Sequence, residues 1–168
     1  KAHKSYEYLM ELVNGQRPKV STTQRATIIA IGGAKGGVGK SMFAANLSVY
    51  LSQKGFKTVA MDLDLGGANL SLYLGEKFIL DRTVNDFLSK KYATLTDITI
   101  KGRYGPYLIG GDSAELGAAN IHYARKMKLV RAIKKIDADY VVLDLGGDTS
   151  YNMLDFFILS DYGLVITS

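Results

Sequence analysis

The sequence predicts an α/β fold: a doubly wound, mostly parallel sheet with helices on both faces. Three observations carry that reading. Short apolar or alternating runs take turns with segments of helical period along most of the chain. The run Tyr140-Val141-Val142-Leu143 is apolar on both faces, as a strand inside a parallel sheet must be. A glycine-rich turn, Gly32-Gly33-Ala34-Lys35-Gly36-Gly37-Val38-Gly39-Lys40-Ser41-Met42, stands between a β-branched run and a helix-like one.

Taken in order, Tyr6, Leu9, Met10 and Val13 fall at i, i+3, i+4 and i+7 with Gly15 as a stop, so residues 1–15 read as a short amphipathic helix. It is too short to stand alone in water and is expected to dock on protein. Residues 16–25 are polar, contain a proline and read as a linker; the folded domain is expected over 26–168. Thr27-Ile28-Ile29-Ala30-Ile31 opens a strand over 27–32. A helix over 40–54 places Phe43, Leu47 and Leu51 at helical spacing. A strand at 57–62, short helices near 69–74 and 83–90, and a strand pair around 98–101 and 106–110 follow. Next come a helix at 121–136 with a stripe of Met127, Val130, Ile133 and Ile136, a strand at 140–144, a helix at 150–159 and a strand at 163–167. Leu164-Val165-Ile166-Thr167-Ser168 has the character of a core strand, so the domain is expected to continue past it.

With 168 residues, 47% hydrophobic and 22% charged, one domain with a real core is expected. No apolar run approaches the roughly 18 to 20 residues of a membrane span, and the lysine-rich start lacks the apolar stretch of a signal peptide. The expected location is cytoplasmic, with a peripheral place at a membrane left open. The absence of cysteine excludes a disulfide framework, a Cys zinc site and a Cys-ligated iron–sulfur cluster. His3 and His122 have no companion ligands in sequence, and the net charge of +5 favours phosphate-bearing partners without choosing among them.

The glycine-rich turn has the parts of a nucleoside-triphosphate loop. Small residues let backbone N–H groups approach phosphate oxygens, Lys40 reaches the outer phosphates, and the Ser41 hydroxyl suits Mg²⁺. Lys35 is a second cation inside the loop, implying a second phosphate-directed charge. Asp62 and Asp64 follow the second predicted strand, at the end where ligands bind in such a sheet, and side-chain alternation points both the same way. In Val141-Val142-Leu143-Asp144-Leu145-Gly146-Gly147 a buried strand delivers a carboxylate, Asp144, just before a mobile turn.

Lys35-Gly36-Gly37-Val38-Gly39-Lys40-Ser41 resembles the deviant Walker A loop of the MinD/ParA family of dimerising P-loop ATPases, and the resemblance runs from about Arg25 to the last residue. Met61 to Leu70, followed by Leu74-Gly75, looks closest to the MinD-like branch and its regulators of flagellar number and placement. The resemblance implies ATP and Mg²⁺ as ligands, held by Lys35, Gly36, Gly37, Val38, Gly39, Lys40, Ser41 and Met42. It implies that Ser41, Asp62 and Asp144 serve the metal, with Asp144 as the Walker B acid, and that Asp64 positions the attacking water. Lys35 would cross a homodimer interface to the partner's ATP and act as an arginine finger does. Gly146 or Gly147, the latter preferred, would sense the γ-phosphate. Relatives often carry a proline and an alanine in that turn, where this chain has Leu145-Gly146-Gly147-Asp148.

The implied function is a slow, dimer-dependent ATPase acting as a switch for spatial positioning, at a flagellum or division site, with an activating protein partner. The alternatives are a ParA-like partitioning ATPase for DNA or cargo, an ATP-dependent metabolic enzyme on the same scaffold, and a nucleotide-locked module without turnover. Arg125, Lys126, Lys128, Arg131, Lys134 and Lys135 share one predicted helix that has no acid. Such a face reads first as solvated, and otherwise as a contact surface for DNA or anionic lipid.

Overall fold

The computed structural model describes residues 25–33, 35–64, 67, 69–76, 82–111, 123–147 and 151–167. The expected N-terminal helix and its linker lie outside the described residues, apart from Arg25. The strands are β1 (Thr27–Gly32), β2 (Thr58–Asp62), β3 (Ile100–Lys101), β4 (Tyr107–Ile109), β5 (Tyr140–Asp144) and β6 (Tyr162–Val165). The helices are α1 (Lys40–Gln53), α2 (Leu70–Tyr73), α3 (Val84–Leu88), α4 (Tyr123–Ile133) and α5 (Tyr151–Leu159). One six-stranded sheet runs in the order β3-β4-β2-β5-β1-β6, parallel except for the β3–β4 pair.

The period of two along each strand sorts its side chains between two cores. Ile28, Ala30, Val59, Met61, Val141 and Leu143 face the layer to which α3, α4 and α5 contribute Phe87, Leu129, Ile133 and Phe156. Ile29, Ile31, Ala60, Tyr140 and Val142 face α1 and α2, represented by Ala44, Ala45, Leu51 and Leu70. The sheet is therefore covered on both sides, and no side chain of β2 or β5 reaches solvent.

Packing decides which helix faces are buried. The buried face of α1 is Lys40, Ala44, Ala45, Ser48 and Leu51, whereas Phe43 is 42% exposed. Small residues bring this helix close to the sheet, and bulk at the Phe43 position is turned outward. Ser48 is accommodated because its hydroxyl donates to the Ala44 carbonyl at 2.7 Å. In α4, Leu129 is fully buried with Ile133, while Met127 and Val130 are only half-buried. Among the described residues β6 pairs with β1, its burial alternates, and Val165 is 64% exposed.

The ends of the elements are tied by side chains on the backbone. Asp161, just before β6, accepts the Ile28 N–H at 2.9 Å and the Arg25 guanidinium at 2.7 Å, fixing where β1 begins. Asp86 accepts the Thr83 N–H at 3.0 Å, capping α3, and the Val84 N–H reaches the Gly110 carbonyl at 3.0 Å, setting α3 against the end of β4. A 3₁₀ turn at Thr96–Ile98 takes the place of the first residue expected in β3.

If α1 packs by its alanines, Ala44→Leu should destabilise the fold by about 1–3 kcal/mol, since the site has no room for added methylenes. Phe43→Ala should cost less than about 1 kcal/mol, as an exposed position does. Urea unfolding followed by circular dichroism ranks the two; the reverse order would restore the Phe43 face as the packed one.

Candidate functional site

Parallel pairing brings the carboxyl ends of β1, β2 and β5 to one edge. Ile31 and Asp62 are both register partners of Asp144, so the glycine-rich turn after β1 opens beside both carboxylates. Ligands of doubly wound folds bind at this edge.

The turn itself is shaped by three glycines. A Cβ on Gly33 would lie 2.4 Å from the Ile166 carbonyl oxygen, so only glycine lets the strand end pass beneath β6. Gly37 and Gly39 hold left-handed φ of 76° and 92°, and Gly39 leads into α1, with the Phe43 N–H bonding its carbonyl at 2.8 Å. Nothing lies within 4 Å of where side chains would stand on Gly36 and Gly37, which leaves the outer face of the loop open to an anion. Lys40, only 5% exposed, donates from Nζ to the Lys35 carbonyl at 2.7 Å. The Lys35 side chain and Met42 project outward from the loop and the start of the helix.

Asp62 is nearly buried, and both its oxygens hold backbone: Oδ1 accepts the Asp64 N–H and Oδ2 the Leu70 N–H, each at 3.0 Å. Burial, reinforced by the neighbouring Asp144 charge, pushes its carboxyl up to about 7 against the two N–H bonds. Asp62, expected from the resemblance to serve the metal, thus has a structural part beside that expected role. Asp62 also folds the loop that carries Asp64 and starts α2.

Asp144 is fully buried, and its carboxyl is likewise raised, by burial first, against the Ser41 hydroxyl bond and the Gly146 N–H. Its Oδ2 has no hydrogen-bond partner among the described residues. A buried carboxylate oxygen left over beside a serine hydroxyl and two more carboxylates fits a divalent cation with its water shell.

The turn after β5 touches both other parts of the site. Gly146, with φ of 68°, is covered by Asp64: a Cβ there would fall 2.4 Å from Asp64 Cγ. A Cβ on Gly147 would lie 3.2 Å from Lys40 Nζ and 3.3 Å from the Gly36 nitrogen. The turn therefore rests on Asp64 through Gly146 and on the glycine loop through Gly147. Gly33 and the backbone role of Asp62 escaped the sequence reading. The only available signal for the first was a glycine directly after an apolar strand.

Residues 29–163 match the family model described as the CobQ/CobB/MinD/ParA nucleotide binding domain. The chain is 32% identical to the flagellum site-determining protein YlxH of Helicobacter pylori over 95% of its own length and 55% of that protein's. It is 29% identical to the septum site-determining protein MinD of the same organism, over 85% of this chain and 53% of that one. Among solved structures it resembles MinD from Pyrococcus horikoshii complexed with Mg-ADP, with a TM-score of 0.71 and 27% identity over 84% of this chain and 58% of that one. The chain spans about half the length of the curated relatives it matches.

The raised Asp62 carboxyl carries a pH signature. Between the ordinary value of 3.8 and about 7 the folded chain binds a proton that the unfolded chain has released, so stability falls as pH rises through that window. Urea midpoints without divalent cation should drop from about pH 5 to about pH 8. Added Mg²⁺ should shrink the drop, since a bound cation favours the ionised pair. A flat profile without cation would show that Asp62 ionises freely.

Proposed function

The chain belongs to the CobQ/CobB/MinD/ParA nucleotide-binding family, and from that membership we propose that it binds and hydrolyses Mg²⁺-ATP as a dimerising switch that sets the position of a flagellum or division site. The observation that carries the switch is the Gly147 contact. The turn that follows the buried acid Asp144 lies so near the loop that a Cβ added to Gly147 would fall 3.2 Å from Lys40 Nζ and 3.3 Å from the Gly36 nitrogen. Whatever repositions Lys40 must displace or engage that turn.

The loop N–H groups from Gly36 to Ser41, with Val38 and Met42 at its shoulder, would cradle the phosphates, and Lys40 would neutralise the outer ones. Ser41 and Asp144 would hold Mg²⁺, with Asp62 supporting the same shell, and the cation when bound supplies charge neutralisation at the outer phosphates. Asp64 is the half-buried acid beside Gly146, and its carboxylate is suited to orient a water for attack. Gly147 is favoured over Gly146 as the glycine that senses the γ-phosphate, because Gly146 is already occupied by Asp64 while Gly147 faces the loop.

Lys35 gives the reading its dimeric form. Its carbonyl holds Lys40 and its side chain is exposed, directed away from its own compact loop. A cation so placed serves a second copy better than its own site, and hydrolysis would then require two protomers. Positioning is favoured as the purpose because the relatives are site-determining proteins of flagellum and septum. Among the described residues no helix is long and apolar enough to cross a membrane.

Steady-state phosphate release, measured alone, with phospholipid vesicles and with DNA, tests the whole reading. Turnover that rises with protein concentration and with vesicles supports a positioning switch; stimulation by DNA alone would move it to partitioning. Lys40→Ala should abolish binding of a slowly hydrolysed ATP analogue in calorimetric titration, and affinity within about threefold of wild type would sink the loop assignment. Lys35→Ala and Asp64→Ala should keep binding and lose at least about a hundredfold in turnover, with Asp64→Ala accumulating as an ATP-bound dimer in light scattering.

A further inference from the structure

The chain keeps β2 and β5 in step past the ends of both strands. The Leu63 N–H bonds the Asp144 carbonyl at 2.8 Å and the Asp64 N–H bonds Asp62 Oδ1 at 3.0 Å, so the backbone after β2 stays beside the backbone after β5. Asp62 and Asp144 are register partners, and two residues further along, on the same side, Asp64 comes level with Gly146. At the first level an acid faces an acid; at the second it faces a glycine. We propose that Gly146 is a positioning residue for hydrolysis: because it has no side chain, the Asp64 carboxylate can stand over the turn, at the place from which it orients the attacking water. The proposal rests on the reading of Asp64 as the water-orienting acid, and adds what keeps that acid in place.

The space above Gly146 is filled. A Cβ there would lie 2.4 Å from Asp64 Cγ, 2.6 Å from Oδ1 and 2.8 Å from Oδ2, so the whole carboxylate stands where a side chain would begin. Heavy atoms in ordinary van der Waals contact are about 3.5 Å apart or more. Of the two partners Asp64 would yield, since its carboxylate ends a rotatable side chain, whereas Gly146 is backbone whose neighbour Leu145 bonds the Ile31 carbonyl at 2.9 Å. Neither way out preserves its place. On one side are Asp62 and Asp144, whose carboxyls the Asp64 charge already helps to push up, and on the other is solvent, where a carboxylate has no fixed position.

Two further observations separate this role from phosphate sensing. The Gly146 N–H is directed at Asp144 Oδ1, 3.4 Å away, and so is not turned toward an incoming phosphate. Its φ of 68° lies in the left-handed region, which glycine enters freely, other residues enter with strain and proline cannot enter. The shape of the turn and the vacancy above it thus both call for glycine. They do so for different reasons, and a substitution can tell them apart: strain at positive φ persists whatever stands at position 64, whereas the collision exists only while Asp64 keeps its carboxylate.

The test is a double-mutant cycle of Gly146→Ala and Asp64→Ala, read three ways: steady-state phosphate release with Mg²⁺-ATP, calorimetric titration with a slowly hydrolysed ATP analogue, and urea midpoints without nucleotide. Gly146→Ala alone should lower turnover at least about tenfold while analogue affinity stays within about threefold of wild type, a loss confined to the transition state. On the Asp64→Ala background the same substitution should change the residual turnover by less than about twofold. Without nucleotide, the fall in urea midpoint that Gly146→Ala causes should be at least about halved on that background, because the collision is gone and only the strain remains. If circular dichroism shows that Gly146→Ala misfolds, Gly146→Asn takes its place, since asparagine tolerates the left-handed region and still carries a Cβ. The positioning role is overturned if Gly146→Ala keeps turnover within about threefold of wild type, if affinity falls as far as turnover, or if either cycle is additive. A wild-type chain that binds the analogue but releases no phosphate would instead overturn the ATPase reading, and the role of Gly146 in hydrolysis with it.

Discussion

Two buried carboxylates stand side by side at the ends of adjacent parallel strands, and the arrangement of the rest follows from having to keep them there. Asp62 and Asp144 are register partners, each almost wholly removed from solvent, so each raises the free energy of ionising the other. What offsets that cost is drawn from every neighbouring segment: two loop N–H groups on Asp62, and the Ser41 hydroxyl, the Gly146 N–H and the Lys40 charge around Asp144. β5 must lie between β1 and β2 for this to happen, because only then do the glycine loop and both acids share one edge. A sheet that followed chain order would separate them.

The sequence disclosed the parts of this site that are local in the chain. Lys35 to Met42 carries its own geometry, since glycines, a lysine and a hydroxyl at fixed offsets suffice, and the expected strand–loop–helix context is what the structure shows. The strands were legible for a similar reason: β-branched runs apolar on both faces have few other uses. The basic stretch at 123–136 was visible as composition, yet its pairing of Lys126 with α5 and of Lys128 with α3 depends on packing that no spacing reveals.

What stayed hidden depends on contacts between segments distant in the chain or on small residues. The buried face of α1 is written largely in Ala44, Ala45 and Ser48, which give no hydrophobic stripe, so the helical spacing of Phe43, Leu47 and Leu51 announces a helix without saying that Phe43 stands exposed. The difference between Gly146 and Gly147 is one of neighbours, Asp64 for the first and the glycine loop for the second, and two adjacent glycines look alike in a sequence.

β5 is flanked by strands on both edges, covered on both faces and buried along its whole length. Such a strand is stiff, and tilting it would disturb two ladders and two cores at once. On the switch proposed above, a displacement starting at Asp144 would therefore find little route through the sheet and would have to leave by the turn that begins at Leu145. A short throw cannot be broadcast to a remote surface without further moving parts. Under the proposed switch, a protein reading the state of the site from these elements would have to press directly on that rim, and sensing and signalling would then occupy the same few square nanometres.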